Sequence, residues 1–158
     1  MKWIRILTDA FHLDPERHKK ELAILAKLVQ PVKIPKDIQF VKEGEPANFL
    51  YLVTKGHAQV MAPTEHPKIK LYRVSPMDLV GWSSIVEPRI YTGNVITLES
   101  SEFLRFEADI LLKEMEQNSL LGYAVLKRIS EFLSQRLLHS LFDVLSVSAT
   151  RNENLVIT

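Results

Sequence analysis

The chain has 158 residues, no cysteine, and 20 Lys+Arg against 19 Asp+Glu, a formal net charge of +1. That length suits one domain burying roughly 68–70% of its unfolded surface, and the lack of thiols excludes disulfide scaffolds, thiolate zinc sites and Cys nucleophiles and suits a cytoplasmic protein. Near-neutrality argues against a surface built to hold nucleic acid, which needs clustered Lys and Arg.

The opening run from Met1 to Phe11 is faintly like a signal peptide, but Arg5 and Asp9 interrupt its apolar stretch. No segment approaches the roughly eighteen apolar residues of a membrane span, so no membrane partner is expected. Asp14-Pro15 offers an N-cap with Pro at the first helical position, and Leu22, Leu25, Ala26 and Val29 follow at helical spacing. A helix is predicted from about Pro15 to Leu28. Between Val32 and Phe106 short apolar runs alternate with turn residues. They predict strands at Ile38–Val41, Phe49–Val53, Ala58–Met61, Ile69–Val74, Val95–Leu98 and Phe103–Phe106. This spacing indicates a sandwich, jelly roll or barrel rather than a parallel sheet. Glu43-Gly44-Glu45 and Lys55-Gly56 are read as hairpin turns with Gly at positive φ.

After Phe106 the helical period returns. Leu111, Leu112 and Met115 suit a short helix, and about Leu120 to Leu145 forms one long helix without Pro. Its stripe of Leu121, Val125, Ile129, Phe132, Leu133, Leu137, Leu141, Val144 and Leu145 would run about 39 Å. Either the whole helix packs on its own domain, or its far end pairs with a second copy; the homodimer is the expectation. One domain is expected over residues 1–145, with 146–158 a tail that frays.

Leu79 to Val95 combines the parts of a small anion pocket: a strand end, Gly81, the hydroxyls of Ser83 and Ser84, and Arg89. Backbone N–H groups in such a turn attract phosphate, and Arg can pair with it bidentately. The plainer reading is a β–α–β crossover whose Gly serves only the turn. No enzyme is expected. Metal binding by His57 and His66 with Glu65 is weighed against solvated strand ends, which explain them as well. Ser83 and Ser84 lie outside any nucleophile elbow and suit turn or cap positions.

The run from Phe40 to Gly56, with its acidic Gly-Glu turn leading into an apolar strand, and Ser75-Pro76-Met77-Asp78-Leu79-Val80-Gly81 occur in an order that resembles the cyclic-nucleotide-binding domain of the Crp/Fnr family. The resemblance implies a mainly β double-stranded β-helix, or jelly roll, with an N-terminal helix, eight or so strands and a long C-terminal helix. It places a ligand at Gly81, Trp82, Ser83, Ser84, Arg89, Tyr91 and Thr92. In members that bind cyclic AMP or GMP, a Glu after the Gly holds the ribose and a later Arg meets the phosphate. Here Trp82 stands at the Glu position and Tyr91 at the Arg position, with Arg89 two residues early. An indole accepts no hydrogen bond, so cyclic AMP and GMP are expected to bind weakly or not at all. Trp82 would either plug the pocket or stack on a base, and Met77 at the turn-Gly position fits a type I turn. Only thirteen residues follow Leu145, so direct DNA binding by a recognition helix is not expected. Two functions remain open. One is a regulatory sensor of a nucleotide or other phosphate-containing anion, without a certain cofactor, signalling through the dimer helix. The other is a dimerisation or protein-interaction module with a vestigial pocket.

Overall fold

The computed structural model describes residues 2–63 and 69–155. Helices α1 (Ile4–Phe11) and α2 (Lys19–Leu28) precede strands β1 (Gln30–Ile34), β2 (Gln39–Val41), β3 (Phe49–Lys55), β4 (Ala58–Met61), β5 (Lys70–Val74) and β6 (Leu79–Val80). A single 3-10 turn, Trp82–Ser84, then leads to β7 (Asn94–Thr97), β8 (Ser101–Glu107), α3 (Ala108–Gln117) and α4 (Ser119–Leu155). The strands form two antiparallel four-stranded sheets in the orders β1-β8-β3-β6 and β2-β7-β4-β5, the expected jelly roll.

Burial explains why β3 is a continuous apolar run rather than an alternating one. Leu50 and Leu52 face Leu7, Leu25, Leu104 and Leu121 beneath the helices. Tyr51 and Val53 face Val60, Val95 and Phe103 between the sheets. Both faces of this strand are therefore covered, and every side chain from Leu50 to Val53 is buried.

Several expectations change. The predicted helix start at Pro15 is a turn instead: Asp14 Oδ1 accepts from the backbone N–H groups of Glu16 and Arg17 at 2.9 and 3.0 Å, and α2 begins at Lys19. The opening run is α1, unforeseen because Arg5 and Asp9 looked like interruptions. They share its exposed face while Leu7, Ala10 and Phe11 are buried. Gly44 and Gly56 do take φ of 80° and 84°, but each turn carries the chain from one sheet to the other rather than closing a hairpin. β6 and β7 likewise lie in different sheets, which removes the β–α–β reading. Met77 has φ 76° in a turn closed by Asp78 N–H donating to Ser75 O at 3.0 Å, so the turn is of type II and Met occupies a position that favours Gly. The boundary expected at Leu145 falls inside α4, which meets no Gly or Pro after Gly122.

Helix α4 has two halves. Leu121, Val125, Ile129 and Phe132 are buried on the domain, whereas Leu137, Leu141, Phe142, Val144 and Leu145 are at least half exposed. Buried Arg128 ties the packed half down. Its Nε donates to Ala10 O at 2.6 Å at the end of α1, and its guanidinium also donates to Met77 O at 2.9 Å.

Candidate ligand site

A cavity of about 190 Å³ lies between the sheets where β6 runs into the 3-10 turn. Val41, Val60 and Val95 form one wall and Leu79 another, with the rings of Tyr72, Trp82 and Tyr91 around them. Of the residues expected to bind a ligand, Gly81, Trp82, Ser83, Tyr91 and Thr92 line it. Ser84 and Arg89 do not.

The reasons are local. Gly81 has φ 80°, and a Cβ there would stand 2.7 Å from Phe49 O and 3.2 Å from the Tyr91 ring. The chain's own backbone thus demands this glycine. Ser84 is fully buried, and its backbone N–H and its hydroxyl both donate to Gly81 O, at 3.0 and 2.6 Å, making it the turn residue that was the alternative to a ligand contact. The turn leaves the N–H groups of Trp82 and Ser83 without acceptors inside it. Arg89 follows the cis peptide Glu87–Pro88 at φ 59°. It lies on no strand. Its Nε donates to Ser84 O at 3.0 Å and its guanidinium pairs with Asp109 Oδ1 of α3 at 2.7 Å.

Tyr91 is a core residue. Its hydroxyl donates to Phe49 O at 2.8 Å and accepts from Phe49 N–H at 3.2 Å, and burial pushes its pKa up to about 12. Burial also raises the Tyr72 phenol, opposed by the neighbouring Arg136 charge. No Lys, Arg, His, Asp or Glu lines the cavity among the described residues, so both phenols are neutral in an uncharged wall. Trp82 packs against both core clusters and borders the cavity without filling it.

Tyr72 is the residue that sequence reasoning missed. Its ring meets Phe132 of α4 edge-on at 6.3 Å, and the Arg136 guanidinium lies 4.4 Å from its centroid. Arg136 also donates to Asp78 Oδ2 at 3.2 Å, and the same oxygen accepts from Ser75 N–H at 2.9 Å. The available signal was Arg128-Phe132-Arg136, two cations at helical spacing beside an apolar stripe. His57 pairs with Glu99, while His66 and Glu65 lie outside the described residues. Among the described residues no cluster of metal-ligating side chains occurs and no helix is long and apolar enough to cross a membrane.

The family model for the cyclic nucleotide-binding domain matches residues 31–118. A CRP-like cAMP-activated global transcriptional regulator of Mycobacterium tuberculosis is 29% identical over 92 residues, covering 57% of this chain and 41% of the relative. The chain thus spans about two fifths of the length of the curated relatives it matches. Among solved structures, a cyclic nucleotide-binding domain from Methylobacillus flagellatus has a TM-score of 0.79 at 20% identity, with 92% of this chain and 84% of that one covered. The Thermus thermophilus catabolite activator protein has a TM-score of 0.67 at 20% identity, covering 88% and 62%. The chain belongs to the cyclic nucleotide-binding domain family.

Proposed function

We propose that the chain is a regulatory sensor in which a small molecule in the cavity between the sheets biases helix α4, and α4 pairs with a second copy of the chain. The supporting observation is that one side chain serves both places: Tyr72 borders the cavity and its ring rests on Phe132 and Arg136 of α4. A displaced Tyr72 cannot leave α4 unaltered, because interiors are close-packed. The dimer part rests on the exposed outer stripe of Leu137, Leu141, Val144 and Leu145. Burying each such side chain contributes roughly 1.5–3 kcal/mol against association costs of about 4–15 kcal/mol, so pairing of moderate strength is expected. The role is one of binding rather than catalysis, exercised in the cytoplasm.

Light scattering on the unmodified chain should give a dimer at tens of micromolar, and Leu141→Glu, which sets like charges in the seam, a monomer that melts cooperatively. A monomeric unmodified chain would remove the dimer. A second reading, an interaction module with a vestigial pocket that engages another protein partner, is favoured by Tyr91, whose hydroxyl is fully committed to Phe49. In that case no small molecule should shift the oligomeric equilibrium.

A further inference from the structure

Charge, size and polarity together restrict what the cavity can hold. The described lining has no ionisable group besides tyrosine, and Arg89, the arginine expected to meet a ligand, is engaged by Ser84 and Asp109. A phosphate entering such a wall would shed its hydration with no cation in the described lining to replace it, because Arg136, beside Tyr72, is already paired with Asp78, and buried ions are tolerated only when paired. The volume of about 190 Å³ is also below the roughly 300–1,000 Å³ of pockets for drug-sized ligands. An apolar cavity of about 150 Å³ holds benzene. A small ring system fits that volume. The rings of Trp82, Tyr72 and Tyr91 offer it faces and edges. Ser83 offers a buried polar anchor: it is 7% exposed, lines the cavity, and has no side-chain hydrogen bond among the described residues.

The geometry points to an uncharged aromatic molecule of one or two fused rings, with one polar atom for the Ser83 hydroxyl, as the occupant in place of a cyclic nucleotide or other phosphate. This assignment rests on the sensor reading above and gives it a ligand class. On this assignment an apolar pocket stands where an anion pocket was expected from Gly81, Ser83, Ser84 and Arg89.

Calorimetric titration of the full chain with indole and 2-naphthol, beside cyclic AMP, cyclic GMP and inorganic phosphate, tests it. Both neutral bicyclics should bind, and each anion should bind at least a hundredfold more weakly. Binding should alter the emission of Trp82, a signal that Trp3→Phe retains. Ser83→Ala should weaken 2-naphthol about tenfold and leave naphthalene unchanged. Val60→Phe fills the cavity from β4 and should remove binding. Thr92→Trp covers the exposed rim without touching the core, and keeps the test intact if the first variant unfolds. Tighter binding by any of the phosphates overturns the assignment, as does silence from both bicyclics or bicyclic binding that survives both blocking variants. Bicyclic binding as expected, with no shift in the oligomeric equilibrium, would leave the ligand class standing and remove the sensor reading.

Discussion

Arg89 is the only cation between Arg73 and Arg105, and it braces the loop after the 3-10 turn instead of facing the cavity. Its partner Asp109 is largely exposed, so the ion pair contributes about 0–1 kcal/mol, and the bond to the Ser84 carbonyl about 1 kcal/mol. Arg89→Ala should therefore cost about 1–2 kcal/mol in urea unfolding and leave binding of a neutral bicyclic intact. Tyr91 gives a pH signature. Its folded pKa is raised from 10.0 to about 12, so the fold holds the neutral phenol. That contribution, about 2–3 kcal/mol, is complete below pH 10 and lost as pH rises through about 12. Tyr91→Phe should flatten this alkaline loss relative to the unmodified chain. It should also cost about 1–3 kcal/mol at neutral pH, because Phe49 N–H and C=O lose their partner. Urea midpoints at neutral and alkaline pH measure both effects.

At the level of elements, Arg128 joins three segments, the end of α1, the Ser75–Asp78 turn and α4. Arg128→Ala should leave the carbonyls of Ala10 and Met77 without donors at about 1–3 kcal/mol each, and amide exchange should accelerate first in α1. The long elements were legible: β4 has its predicted bounds, and five more predicted runs fall on β2, β3, β5, β7 and β8. Their burial imposes a pattern that their residues carry. β1 and β6 were not legible, since one contains Pro31, tolerated at a sheet edge, and the other has two residues. Turn residues announced positive φ at Gly44 and Gly56 but not which sheet the next strand joins, because that is decided by contacts distant in sequence. The candidate site was half legible for the same reason. Gly81, Trp82, Ser83, Tyr91 and Thr92 do meet at one cavity, but the direction of Arg89 depends on Asp109, twenty residues away.

Across the whole molecule, stability should follow concentration if α4 pairs with a second copy. Association adds to the folded state alone, so the melting temperature should rise with protein concentration in the unmodified chain and not in Leu141→Glu. Calorimetric scans over a hundredfold dilution check this. The division of α4 into a seated half and a projecting half also has a mechanical consequence. From Leu133 to Leu155 the helix extends about 33 Å beyond its last buried side chains. A tilt of about 10° at the Phe132–Arg136 fulcrum would sweep the tip through about 6 Å. On the proposed sensor reading the projecting helix would be a lever arm, its length setting the gain with which a displacement of Tyr72 becomes a change of position that a second molecule can register.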